Sequence, residues 1–242
     1  MAELTDRQRI ILKSIVEEYV ATAEPVGSES LEKKYSFGIS PATVRHEMVE
    51  LTREGYLKQP HTSAGRVPTP AGLKLYIDQL MEERKMSVTE EVTAKEKIWD
   101  WRHDFSRLVR EATKSLASQT GYLAVSATGE GDVYHAGHSY ILDLPEFFDI
   151  DVTKTVLGML DQIEILRSLF AKSYSDDPIK VLLGEDLGYE YLEPCGLVFT
   201  KFETPRHKGS LGILGPNRFD FARVIPIVRY HGELISEILK DW

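Results

Sequence analysis

Eight residues in the first third of the chain have the types and spacing to read a nucleic acid: Ser40, Ala42, Thr43, Arg45, His46, Thr62, Ser63 and Arg66. Arg45 or His46 can donate hydrogen bonds to base edges, and Ala42 or the Thr43 methyl can touch a thymine methyl. Ser40, at a helix start, favours a phosphate. Thr62 and Ser63 offer short-range donors, while Arg66 beside Gly65 can reach a minor groove or a phosphate. Other clusters carry less chemistry. His135 and His138 suggest a metal pair, but a glycine interrupts Tyr134-His-Ala-Gly-His138 and no cysteine or acid set completes the ligands. Cys195 and His207 lack a nucleophile signature, and a single cysteine in a strand is ordinarily a small buried hydrophobe. Gly212-Ile-Leu-Gly-Pro-Asn217 has neither dinucleotide-fold nor Walker spacing and reads as a tight turn. Arg218, Asp220 and Arg223 after it are expected to form a local salt-bridge network. No cofactor or metal is implied, and these absences argue against an enzyme.

The elements that must position the eight residues are legible from caps and periodicity. Thr5 and Gln8 have capping-box spacing, and Ile11, Leu12, Ile15, Val16, Tyr19 and Val20 form one stripe of a helix over about 6–21. Pro25 and Gly27 break it, and Gly27 or Ser28 can cap a short helix through Tyr35. Gly38 supplies a turn. Ser40 followed by Pro41 is a favoured helix entry, and Val44, Met48 and Leu51 fall on one face before Gly55 ends that helix. With those three inward, Ala42, His46 and Arg53 point outward and Thr43 and Arg45 flank them. Tyr56 to Pro60 and Arg66 to Pro68 read as short strands around a small polar tip, a candidate wing. The order helix, helix, turn, helix, hairpin is that of a winged helix-turn-helix.

Charge agrees with this division. The 242-residue chain carries 29 Lys and Arg against 38 Asp and Glu, a net charge of −9, which at first sight opposes binding to phosphates. Residues 1–75 hold ten of each sign, so the whole deficit lies downstream. Within 40–74, Arg45, Arg53, Lys58, Arg66 and Lys74 face only Glu47, Glu50 and Glu54. One segment is suited to DNA while the rest repels it.

Divided by roughly 150 residues per domain, the length favours two modest domains. Thr69 and Pro70 open a further helix with Leu73, Tyr76 and Ile77, and periodicity then fades. The sequence therefore predicts a DNA-binding domain over 1–80, a charged linker over 81–97, and an α+β domain over 98–242. The last begins with a long helix at about 99–118, bearing Trp101, Phe105, Leu108, Val109, Ala112 and Leu116, which is core or part of a dimer interface. Strands are expected near 122–125, 132–134, 179–183, 196–200 and 210–214, with helices near 152–171 and 221–240. No apolar run reaches the ~18 residues of a membrane span, no signal peptide is evident, and the lone cysteine fits a reducing cytoplasm.

Several segments also resemble the HrcA family of bacterial heat-inducible repressors. They include Leu4-Thr-Asp-Arg-Gln-Arg-Ile-Ile-Leu12, Glu24-Pro-Val-Gly-Ser28, Ile39-Ser-Pro-Ala-Thr-Val-Arg45, Glu47-Met48 and Gly55-Tyr-Leu57. The most specific is Gln59-Pro-His-Thr-Ser-Ala-Gly-Arg-Val-Pro-Thr69. Downstream, the likeness continues in Leu144-Pro-Glu-Phe147, Ile179 to Glu185 and Gly212 to Val224. The resemblance implies a winged-helix domain joined to a GAF-like domain, acting as a homodimer on an inverted-repeat operator, the CIRCE element, upstream of chaperone genes. It also implies dependence on the GroE-type chaperonin, which helps the repressor reach its active form, so that client overload on heating frees the operator. Two departures stand out. His46 occupies a position where the family usually has Asn, so the base contact and operator are expected to differ there. Gly121 to Asp132 also runs almost directly between two strands, where similar proteins carry an inserted dimerising subdomain. The competing function is a winged-helix regulator whose GAF-like domain senses a metabolite.

Overall fold

A computed structural model of the protein describes residues 4–172 and 177–241. The chain divides into two compact units, one formed by Met1–Glu82 with Asp220–Ala222 and the other by Glu83–Phe219 with Arg223–Trp242.

The first unit opens with three helices, α1 (Asp6–Thr22), α2 (Ser28–Tyr35) and α3 (Pro41–Arg53). The Thr5–Gln8 capping box starts α1, and Ser40 caps α3 with Pro41 at its first position. Ile11, Leu12, Ile15 and Val16 of α1, Leu31 of α2, and Val44, Met48 and Leu51 of α3 are buried together as the core of this unit. Two short antiparallel strands follow, β1 (Leu57–Lys58) and β2 (Val67–Pro68), with Leu57 opposite Pro68 and Lys58 opposite Val67. Thr69 caps α4 (Pro70–Leu75), which continues into a π-helical turn over Tyr76–Leu80.

The second unit is a mixed α+β structure around a five-stranded antiparallel sheet. Its strands are β3 (Leu123–Thr128), β4 (Val133–Ala136), β5 (Ile179–Leu183), β6 (Cys195–Glu203) and β7 (Lys208–Pro216), in the order β4-β3-β7-β6-β5. Its helices are α5 (Val88–Trp99), which packs on α6, α6 (Phe105–Thr120), α7 (His138–Leu142), α8 (Ile150–Leu160), α9 (Ile163–Ala171) and α10 (Phe221–Ile238). Strand alternation divides the core. Leu123, Val125, Leu197, Phe199 and Leu214 pack with residues of α8 and α9, including Val156, Leu166 and Phe170. The opposite face meets α6, where the Thr113 hydroxyl lies 2.8 Å from that of Ser126.

Three expectations need correction. The stretch read as a linker over 81–97 contains most of α5, because Ala94 and Ile98 are fully buried at a spacing of four and the Gln119 amide donates to the Glu90 carbonyl. The long helix begins at Phe105, not near 99; Asp104 caps it, and Trp101 lies outside. Its stripe, including Leu108, Val109, Ala112 and Leu116, is fully buried, which makes it core. The helix expected over 152–171 is two. A continuous helix would carry the Val156–Leu160 stripe on to Ile163 and Arg167, whereas the break at Asp161 and Gln162 resets the phase so that Leu166, Leu169 and Phe170 are buried instead. Near the start of α10, Arg218 makes a bidentate pair with the distant Glu146 at 2.5 and 3.1 Å, and Arg223 donates to the Gln119 carbonyl at 2.7 Å.

Candidate nucleic-acid interface

The buried stripe of α3 fixes what the helix presents outward. Ala42, Arg45 and His46 are exposed, and Thr43 is half-buried. The Ser40 hydroxyl accepts from the Thr43 amide at 3.2 Å and lies 3.0 Å from the Thr43 hydroxyl, so both polar groups are engaged at the helix start. Two acids on α3 are neutralised: Glu47 pairs with Arg7 of α1 at 3.4 Å and Glu50 with Arg53 at 2.5 Å. Arg45 and His46 make no side-chain hydrogen bond or ion pair with the described residues.

The hairpin loop is ordered by a residue that sequence reasoning passed over. The Gln59 side-chain amide donates to the Thr62 carbonyl at 2.9 Å and to the Ala64 carbonyl at 3.0 Å, holding Thr62 and Ser63 exposed at the loop surface. A single polar residue next to a proline gives no signal of this role. Arg66 is placed differently from a loop fingertip. Its backbone exchanges two 2.9 Å hydrogen bonds with Val26, and its Nε donates to the Thr52 hydroxyl at 3.0 Å. Its Nη1 lies 3.4 Å from the Gly65 carbonyl, leaving Nη2 without a protein partner among the described residues. Gly65 serves close approach rather than flexibility, because a Cβ there would fall 2.3 Å from the Val26 carbonyl oxygen.

These elements enclose an open cleft of about 420 Å³ between the start of α2, one flank of α3 and the hairpin loop. Arg45, Thr62, Ser63 and Arg66 line it, joined by Ser28 and Gln59, which were not anticipated. Ser40, Ala42, Thr43 and His46 do not line this cleft; they lie at the start of α3. The arrangement offers two guanidinium groups and several hydroxyls on one surface, donors of the kind that can meet phosphate oxygens and base edges.

Elsewhere, burial pushes the Cys195 thiol up to about 12, with the Glu146 charge adding to the effect, so it is not a ready nucleophile. His135 and His138 stack edge to face with centroids 4.7 Å apart, and burial followed by the neighbouring His138 lowers the pKa of His135. No group of three or more His, Cys, Asp or Glu able to hold a metal occurs among the described residues. Nor is any described helix long and apolar enough to cross a membrane.

A family model described as HrcA protein C terminal domain matches residues 71–225. The chain belongs to the HrcA family. Among curated HrcA relatives, the heat-inducible transcription repressor of Pelotomaculum thermopropionicum is 27% identical, with 98% of this chain and 97% of the relative covered. That of Desulforudis audaxviator is 28% identical, with 98% of each covered. The former alignment spans 339 positions against the 242 residues here, so at least 97 of its positions face no residue of this HrcA chain. A crystal structure described as that of a hypothetical protein matches with a TM-score of 0.77 over 99% of both chains at 18% identity, and so has the same fold.

Proposed function

We propose that this chain represses heat-shock genes by binding an inverted-repeat, CIRCE-type operator as a homodimer. In this proposal the first unit is a winged-helix DNA-binding domain, α3 is the recognition helix and the β1–β2 loop is the wing. The second unit is a GAF-like domain whose folding is assisted by a GroE-type chaperonin, and the site of action is the cytoplasm. The observation that carries the reading is that the unpaired Arg45 of α3 lines one open cleft with the hydroxyl-bearing loop and Arg66, while the unpaired His46 beside it on α3 is exposed. Membership in a family whose curated members are named heat-inducible transcription repressors supports it.

Ser40, Thr62, Ser63 and the free Nη2 of Arg66 are assigned to phosphates. Ala42, Thr43, Arg45 and His46 are assigned to base edges in the major groove. One copy offers few base contacts, so two copies related by a twofold axis would read a pseudo-palindrome. No catalytic step is involved.

A gel-shift titration with an inverted-repeat duplex, its isolated half-site and a scrambled duplex, combined with a size measurement of the complex, tests the proposal. The expected result is two protomers on the full repeat, weaker binding to the half-site, and weakest binding to the scrambled sequence. Equal affinity for all three duplexes would refute operator recognition.

A further inference from the structure

The second unit holds a crevice that DNA binding does not use. It measures about 550 Å³ and lies where the sheet extends past the last turn of α9. Alternation explains its composition. Ala127 of β3, Phe199 of β6 and Leu214 of β7 belong to the core on the α8–α9 side. Lys201, two residues beyond Phe199, and Ser210 and Lys208, four and six residues before Leu214, fall on that same face. There the helical cover ends, and Arg167, Phe170 and Ala171 form the facing wall.

Three features point to a ligand. First, Arg167, Lys201 and Lys208 converge on the crevice against one lining acid, Glu203. The ion-pair partner of Arg167, Glu164, stands 3.7 Å away with its side chain 82% exposed, so it screens Arg167 only weakly. Second, Ser210 is only 7% exposed and lines the crevice, yet its hydroxyl has no hydrogen-bond partner among the described residues. A hydroxyl facing the crevice in this way can donate to an acceptor bound there. Third, the lysine is accommodated by its surroundings. A Cβ on Gly129 would lie 2.9 Å from Lys208 Cγ, and the Gly129 amide donates to the Lys208 carbonyl at 2.7 Å.

We propose that this crevice binds a small organic anion, a carboxylate or phosphoryl compound. Its charged end meets Lys201, Lys208 and Arg167 and accepts from the Ser210 hydroxyl, while its apolar part lies against Phe170. The volume falls in the range of small-molecule sites, and a duplex is too wide to enter. The proposal is independent of the DNA-binding reading, because its test reads stability and not operator occupancy.

The test is thermal unfolding of the full chain with inorganic phosphate, phenyl phosphate and benzoate, each against sodium chloride at equal ionic strength. A saturable rise in Tm is expected with at least one probe, and phenyl phosphate should act at lower concentration than inorganic phosphate because of the apolar wall. The double variant Lys201→Gln, Lys208→Gln alters two exposed side chains and should fold normally by circular dichroism, with its half-saturating concentration raised about tenfold or more. Ser210→Ala should raise it by a smaller factor. A Tm that does not rise saturably with any of the three probes, or an unchanged response in the double variant, would overturn the proposal.

Discussion

At the residue scale, the proposed interface separates groups assigned to specify from groups assigned to position. Arg45 and His46 project from α3 without protein partners, so their truncation removes donors without disturbing the fold. Alanine at either should lower operator preference by about 1 to 3 kcal/mol while leaving non-specific affinity nearly unchanged. Competition binding against the scrambled duplex measures this, and equal losses on both sequences would move the two residues from bases to phosphates. Arg66 has a double role that its position in the sequence does not reveal. It anchors the hairpin base through Thr52 and retains one free guanidinium nitrogen. Arg66→Ala should weaken every duplex and reduce the salt slope by about one unit, whereas Thr52→Val removes the anchor, retains the charge and should preserve that slope. Identical salt slopes for Arg66→Ala and the unaltered chain would leave Arg66 as a purely structural residue. The outward face of α3 was legible because period and cap together fix a helical wheel. The Arg66 anchor was not, since it depends on Val26, forty positions upstream, meeting the hairpin.

At the element scale, α6 and α10 are joined by a buried polar contact. His231 of α10 is fully buried; its Nδ1 lies 2.9 Å from the Ile227 carbonyl and its Nε2 3.2 Å from the Ser115 hydroxyl of α6. The carbonyl can only accept, so Nδ1 carries the proton and Nε2 accepts from Ser115. Burial pushes the His231 pKa down to about 4, the Ile227 contact opposing the shift. Below an unfolded value of about 6.5 the unfolded chain binds a proton that the folded chain refuses. The stability contributed by neutral His231 is therefore intact above that pH and is lost as the pH falls toward 4, by about 3 kcal/mol in all. Denaturant unfolding between pH 7 and pH 4 should show this slope, and His231→Gln should flatten it. A variant with the same acid dependence as the unaltered chain would contradict the assignment. Nothing around Tyr230-His-Gly232 in the sequence announces this contact, because Ser115 lies 116 residues away. Capped elements such as α1 and α3, and the strand Ile179–Leu183, were readable because their signals are local. α5 was missed because its two buried residues are separated by charged ones, and α8 and α9 were fused because a phase reset carries no glycine or proline. The anion crevice was equally hidden: Arg167, Lys201 and Lys208 are brought together only by sheet register and the end of α9.

At the scale of the whole molecule, the sheet order supplies a physical reason for the proposed chaperonin dependence. β3 can complete its pairing only with β7, where Leu123 meets Leu214 and Thr128 meets Gly209, and β5 joins through β6 alone. The Glu146–Arg218 and Ser115–His231 contacts likewise wait for the last part of the chain. Until residues 208–216 are available, the apolar faces of β3 and of α6 have no finished sheet to cover them. Non-local pairing of this kind folds slowly and exposes surface that aggregates or is captured by a chaperone. The helices and hairpin of the first unit close mostly over short separations and do not carry the same burden. We therefore expect chain refolded from denaturant at a heat-shock temperature to give a low yield of operator-binding protein, increased several-fold by chaperonin with ATP. Chaperonin occupied by another unfolded protein should return the yield to its unassisted level. Counting active protein by stoichiometric operator titration makes this quantitative, because each missing complex is a chain that failed to fold. If the active fraction is the same with free, occupied and absent chaperonin across the heat-shock range, the repressor does not sense heat through its own folding, and release from the operator must have another cause.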